Sequence, residues 1–129
     1  MSKALVISLQ YNDFPDAKLN GCYYDGERVV EQMKRINKNM EIIFMRDDLP
    51  QESELYPTKD NILKQLNQLC ESNDKKIFFY YSGHGSYRDD TNRDEITTYY
   101  TKNGLSNLRK NTLLKDSCLV TNDKDSLNL

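Results

Sequence analysis

The sequence predicts an α/β domain with a mainly parallel sheet flanked by helices. Three short runs of β-branched and aromatic residues are nearly continuous in hydrophobicity, which is typical of strands covered on both faces. Two segments with apolar residues at helical spacing separate these runs. The order strand, helix, strand, helix, strand favours right-handed crossovers and a parallel sheet between layers of helices. We expect the first strand to lie between the other two.

The predicted elements follow one another from the N-terminus. The first strand is KALVISL, Lys3 to Leu9, and the following helix has an apolar stripe of Val29, Val30, Met33 and Ile36. The second strand is EIIFM, Glu41 to Met45. The second helix starts after Pro57 with Thr58 as its N-cap, and its stripe is Ile62, Leu66, Leu69 and Cys70. The third strand is KIFFYY, Lys76 to Tyr81.

The region from Ser86 to Leu129 has a different character. It is polar, and its apolar residues show neither helical nor alternating spacing, apart from a weak strand pattern from Cys118 to Thr121. We therefore predict one domain, with an α/β core in residues 1–90 and an irregular loop or tail region in residues 91–129.

Composition excludes several functional classes. Lys and Arg total 18 and Asp and Glu total 20, so a net charge of -2 gives no electrostatic reason to bind nucleic acid or an acidic membrane. No apolar run is long enough to span a bilayer, and the N-terminus lacks a signal-peptide pattern. Three widely spaced cysteines, Cys22, Cys70 and Cys118, indicate reduced thiols and a cytoplasmic protein. With one histidine and no CxxC pair, we expect no metal site.

The single histidine, His84, lies in SGHG directly after the third strand. In open parallel sheets, sites form beyond the carboxyl ends of the strands, and flanking glycines leave the imidazole uncovered. There the histidine suits general acid–base chemistry. The alternative is a surface histidine in an ordinary strand-end turn.

The loop after the first strand reaches the same edge. Cys22 and Asp25 are three residues apart near the start of the first helix, and so share one side of it. The alternative makes Cys22 a small buried apolar residue and Asp25 a first-turn charge favoured by the helix dipole. The sequence has no Gly-rich phosphate loop, no GxSxG and no HExxH, which leaves a cysteine thiolate as the common partner for His84.

Several of these motifs together resemble one family. FFYYSGHGS at the end of a strand, preceded by LNGCYYDGERV, is similar to the N-terminal part of metacaspases, caspase-like cysteine peptidases of the C14 type. PTKDNI and RDD are similar too, and the resemblance runs in order from Lys3 to about Asp90. It implies a caspase-like three-layer fold, partly complete. It also implies His84 as catalytic base, Gly85 as an oxyanion-hole donor, and Cys22, Asp25 and Ser82 as a pocket for a basic P1 side chain.

The family nucleophile is a cysteine at the end of a fourth strand, in a motif of the form DSCHSG. This chain has KDSCLVTND, where Cys118 follows His84 by less than the roughly 50 residues expected of a caspase-like pair. A second alignment matches DSCLVTND, Asp116 to Asp123, to a family segment similar to DETLVPVD that precedes the nucleophile strand. We favour this second alignment, under which Cys118 is not the nucleophile and the chain is truncated or catalytically incomplete.

The resemblance also implies a calcium ligand at Asp116. One carboxylate does not hold Ca²⁺, which takes about six to eight oxygens, so we expect no cofactor in this chain alone and Ca²⁺ only in a complete family member. We interpret the acidic cluster of Asp89, Asp90, Asp94 and Glu95 as a solvated loop.

Three functions remain open. The first is a metacaspase-like endopeptidase domain acting on proteins or peptides with Arg or Lys at P1. The second is an inactive caspase-like module that binds basic peptides or protein partners through the same pocket. The third is an α/β binding domain of similar architecture. The residue types at Cys22, Asp25 and Ser82 argue against the third.

Overall fold

The computed structural model describes residues 2–89, 115–124 and 127–128. Its elements are β1 (Ser2–Ser8), α1 (Cys22–Ile36), β2 (Glu41–Arg46), α2 (Lys59–Glu71), β3 (Lys76–Ser82), β4 (Gly85–Asp89), β5 (Lys115–Leu119), β6 (Thr121–Asn122) and β7 (Leu127–Asn128). Two compact units are present, residues 1–84 with 120–129 and residues 85–119. No helix among the described residues is long and apolar enough to cross a membrane. The domain boundary predicted at residue 90 stays a prediction.

The first unit is built on a three-stranded parallel sheet in the order β2-β1-β3. This confirms the predicted α/β class and the central position of the first strand. β1 is covered by helices and by both neighbours, and its residues Leu5 and Ile7 are almost wholly buried. They form the core with Leu9, Met45, Ile62 and Leu69.

Both helices begin where the sequence indicated. In α2 the Thr58 Oγ1 atom accepts a hydrogen bond from the Asn61 N–H at 3.1 Å, which is the predicted N-cap. α1 starts at Cys22 after Gly21, whose φ of 93° lies in the left-handed region that favours glycine. Gly26 lets α1 lie close to the sheet, because a Cβ there would lie 2.2 Å from the Ser8 Oγ atom.

Two details of the predicted core are wrong. The sequence predicts Ile36 and Cys70 on buried stripes, but Ile36 is 80% exposed and Cys70 is exposed. On α2, Gln65 is buried instead. Ile36 is the last residue of α1, and Cys70 is next to the last residue of α2. The third strand is also less covered than predicted, since Ile77, Phe78 and Phe79 are each about 39–46% exposed.

The second unit contains β4 and β5, which pair antiparallel with Ser86 opposite Cys118. The sequence predicted irregular backbone after Gly85, with a weak strand from Cys118 to Thr121. The described residues form short strands instead, and the strand that contains Cys118 ends at Leu119. Within the first unit, β6 and β7 form a second antiparallel pair. Local spacing gave little sign of these pairs, because short two-stranded ladders depend on partners distant in sequence.

Candidate functional site

The His84 imidazole is fixed by a backbone carbonyl. Its Nε2 atom lies 2.6 Å from the carbonyl oxygen of Ala17, in the loop between β1 and α1. A carbonyl oxygen accepts and cannot donate, so Nε2 carries a proton. In the neutral ring the lone pair is therefore on Nδ1, which is the atom left to accept a proton from a reacting group.

Two tyrosine hydroxyls bind the His84 peptide unit. The His84 N–H donates to the Tyr11 hydroxyl oxygen at 3.0 Å, and the Tyr81 hydroxyl donates to the His84 carbonyl at 2.7 Å. Tyr11 in turn donates to the Val120 carbonyl at 2.7 Å, and the Val120 N–H donates to the His84 carbonyl at 3.0 Å. The residue that carries the imidazole is thus held on both sides of its backbone.

The two tyrosines also stay protonated. Burial raises the pKa of Tyr11 and of Tyr81 above the ordinary value of 10.0. The two hydroxyl oxygens lie 3.1 Å apart. Each hydroxyl therefore keeps the single proton that it donates to a carbonyl at neutral pH.

The three residues predicted to form the pocket differ in burial and position. Cys22 is buried at the start of α1. Asp25 is exposed in the first turn of α1, about 60° around the helix from Cys22. Ser82 ends β3, and its carbonyl accepts the Leu9 N–H at 2.9 Å. Among the described residues no hydrogen bond joins the Cys22, Asp25 or Ser82 side chain to His84, so the shared pocket stays a prediction.

Gly85 and Cys118 are in the second unit. Gly85 opens β4, opposite Leu119, and is exposed. Cys118 is the fourth of five residues in β5, partly exposed, and lines a cavity of about 360 Å³ with Gly85, Ser86, Ser117 and Leu119. Its strand pairs with β4 and is not part of the parallel sheet among the described residues. The role predicted for Gly85 stays a prediction.

Gly83 lies close to two tyrosine side chains. Neither Gly83 nor Gly85 has a positive φ, and the prediction that they leave the imidazole uncovered stays a prediction. A Cβ at position 83 would lie 2.7 Å from the Tyr81 hydroxyl and 2.8 Å from the Tyr11 hydroxyl. Gly83 is therefore required by the close approach of the two tyrosines.

The expectation that this chain alone holds no calcium ion stays a prediction. Among residues 2–89, 115–124 and 127–128, no group of three His, Cys, Asp or Glu side chains could hold a metal. Asp116 is placed by its backbone in β5, opposite Arg88, and Asp89 by its backbone in β4. Asp90, Asp94 and Glu95 lie outside the described residues.

Sequence reasoning missed three residues around His84. Ala17 acts through its backbone carbonyl, which every residue carries, so its identity gives no signal. Tyr11 is in a left-handed conformation, φ 55°, inside a polar loop. Asp47 could have been found, because the RDD motif ends β2 at the same sheet edge as His84. Its carboxylate binds the Gln10 and Tyr11 N–H groups at 3.0 and 2.8 Å.

Comparison with known proteins identifies related sequences. The sequence model of the family described as metacaspase, peptidase C14 domain, matches residues 2–122. Metacaspase-1A of Neurospora crassa is 36% identical over 104 residues, covering 75% of this chain and 22% of the relative. Metacaspase-1 of Pyricularia oryzae is 31% identical over 102 residues, covering 75% and 25%. Metacaspase-1 of Kluyveromyces lactis is 35% identical over 98 residues, covering 72% and 22%.

The matched region is thus about a quarter or less of the length of these relatives, but most of this chain. The matched residues include β1, both helices, the SGHG segment and Cys118. The chain belongs to the metacaspase family, peptidase C14.

Proposed function

We propose that this chain carries the base and the basic-side-chain pocket of a cysteine endopeptidase domain that acts on protein substrates after Arg or Lys. The observation that carries the proposal is the contact of His84 Nε2 with the Ala17 carbonyl, 2.6 Å long, which leaves Nδ1 as the acceptor. A thiol adjacent to Nδ1 gives up its proton to the ring, and the resulting thiolate attacks the scissile carbonyl. The same proton then passes to the leaving amine.

The other proposed roles come from the family resemblance. The Gly85 N–H stabilises the negative charge on the carbonyl oxygen. Asp25 pairs with the substrate guanidinium or ammonium group. Ser82 contributes a hydroxyl group, and the small Cys22 side chain lines the pocket. The exposure of Asp25 in the first turn of α1 supports this role, because the carboxylate is accessible to a ligand.

Within this chain we propose that Cys118 is not the nucleophile. Cys118 is the fourth of five residues in β5, which pairs antiparallel with β4, whereas the resemblance implies a nucleophile at the end of a fourth strand. This observation favours a second function for the chain by itself, the binding of basic peptides without cleavage. Binding by one partly exposed ion pair is weak, so we expect a dissociation constant no tighter than about millimolar for one Arg side chain.

A peptide titration followed by NMR tests the pocket. An Arg-containing peptide is expected to shift the amide signals of Ser82 and His84, and the same peptide with citrulline, which lacks the charge, is expected to shift them less. Asp25→Asn should weaken binding about fivefold, since an exposed ion pair contributes up to about 1 kcal/mol.

Asp60→Asn is the matched control, because Asp60 is the acidic residue in the first turn of α2. It should bind the peptide as the unaltered chain does. Equal weakening by both variants, or equal shifts with the Arg and citrulline peptides, would show that Asp25 does not form a basic-side-chain pocket.

A further inference from the structure

The Tyr11 side chain contacts His84 in two separate ways. Its hydroxyl oxygen accepts the His84 N–H at 3.0 Å, and its ring lies beside the imidazole with 5.0 Å between centroids and 31° between planes. The hydrogen bond fixes the His84 backbone, and the ring contact limits rotation of the His84 imidazole. Tyr11 is itself fully buried, so it has little freedom to move away from His84.

The position of Tyr11 is set by a buried carboxylate. Asp47, 9% exposed, accepts hydrogen bonds from the Gln10 N–H, the Tyr11 N–H, the Tyr23 hydroxyl and the Asn122 side-chain amide. These four donors come from the loop after β1, from α1 and from β6. Tyr11 has φ 55°, a conformation that costs a non-glycine residue about 1 kcal/mol, and the charge-assisted bond to its N–H offsets that cost.

The Tyr11 hydroxyl both donates and accepts a hydrogen bond. The Tyr11 proton goes to the Val120 carbonyl at 2.7 Å, and the same oxygen accepts the His84 N–H at 3.0 Å. Phenylalanine at position 11 would therefore leave the His84 N–H without this acceptor. It would keep the ring contact.

We propose that Tyr11 is a positioning residue for His84, holding the His84 backbone with its hydroxyl and the imidazole orientation with its ring. Asp47 fixes Tyr11 for this task. The role of His84 as a base belongs to the proposed function, whereas the hold of Tyr11 on His84 is measured directly and does not need peptidase activity. An experiment can therefore reject the positioning role of Tyr11 without rejecting the role of His84 as a base, and the reverse.

The single histidine makes the test specific, because every imidazole signal in the spectrum comes from residue 84. In the full chain, Tyr11→Phe removes the hydroxyl and keeps the ring. We expect hydrogen exchange of the His84 amide to quicken about threefold to tenfold, the equivalent of one net hydrogen bond, while the imidazole nitrogen shifts keep the pattern of the Nε2–H tautomer. Tyr11→Leu removes the ring too, and should move those shifts toward a mixture of tautomers.

Tyr24→Phe is the matched control, since Tyr24 is 60% exposed on α1. It should leave both readouts at their original values. The proposal is overturned if Tyr11→Phe exchanges like Tyr24→Phe, or if folded Tyr11→Leu keeps the original imidazole shifts. Amide spectra report whether each variant is folded; should Tyr11→Leu unfold, the exchange rate in Tyr11→Phe decides by itself.

Discussion

The Asp47 carboxylate at the end of β2 accepts a hydrogen bond from the side-chain amide of Asn122, 75 residues later, at 3.2 Å. The same carboxylate holds the backbone after β1. One buried charge therefore joins three parts of the first unit, and each of its bonds is charge-assisted.

We expect Asp47→Asn to lower the free energy of unfolding by about 2–4 kcal/mol, because an amide cannot accept from all of these donors at once. Asp48→Asn is the neighbouring control. Asp48 pairs with Arg46 at 2.8 Å near the surface, and such pairs contribute up to about 1 kcal/mol. Urea unfolding measures both variants. Similar losses in the two would contradict the role assigned to Asp47.

Stability should decrease at alkaline pH. Burial is the first cause that raises the pKa of Tyr11, Tyr23, Tyr56 and Tyr81 above 10.0. Below pH 10 these phenols are protonated in both folded and unfolded chains, so their contribution to stability is constant. Above pH 10 the unfolded chain releases protons that the folded chain retains, and the free energy of unfolding falls.

Urea unfolding at a series of pH values measures this dependence. Tyr11→Phe removes one of these phenols, so the free energy of unfolding of this variant should fall less steeply above pH 10. Tyr24→Phe, which removes an exposed phenol, is the comparison variant. A stability that rises between pH 10 and 11 would be the opposite of the expected sign.

Alanine at the two glycines beside His84 should have unequal effects. At Gly83 the new Cβ would meet two tyrosine hydroxyls at 2.7 and 2.8 Å, and we expect a loss of about 1–3 kcal/mol from overpacking. At Gly85 the nearest atom is the Cys118 carbonyl oxygen at 3.7 Å, an ordinary contact, so Gly85→Ala should cost less than about 1 kcal/mol. Thermal unfolding of the two variants checks the order, and a reversed order would contradict it.

Peptidase activity of this chain alone should be absent with short Arg- or Lys-terminated reporter peptides, with or without added calcium. The expectation follows from the proposal that Cys118, in the antiparallel β4–β5 pair, is not the nucleophile. Cys118→Ala and His84→Ala are assayed in parallel. Turnover that both substitutions abolish would identify Cys118 as the nucleophile and reject the proposal.

Much of the first unit could be predicted from the sequence, because its signals are local. The Thr58 cap, the continuous apolar run of β1 and the alternation of helix and strand each depend on neighbouring residues. The exposure of Phe78 and the burial of Gln65 could not be predicted, since both depend on what packs against that face of the strand or helix. Propensity and periodicity do not report such partners.

The residues of the candidate site also separate into those that local sequence predicts and those that it does not. His84 and Cys22 were located because strand ends and helix starts have sequence signatures. The side chains that hold His84 come from positions 11, 17 and 47, whose contacts are set by a loop conformation and by a carbonyl group. No local pattern encodes which loop residue turns toward a histidine 73 residues away.

The hydrogen bond from Tyr11 to Val120 joins residues 109 positions apart, and this separation affects the order of folding. A ribosome-bound chain can form the β2-β1-β3 sheet once residue 82 has emerged, but the Val120 carbonyl that accepts from Tyr11 has not yet emerged. Closing so long a loop adds little entropy cost beyond that of a shorter one, yet it slows folding, because non-local contacts form late. During synthesis, the His84 backbone therefore reaches its final arrangement only after the sheet beneath it is complete.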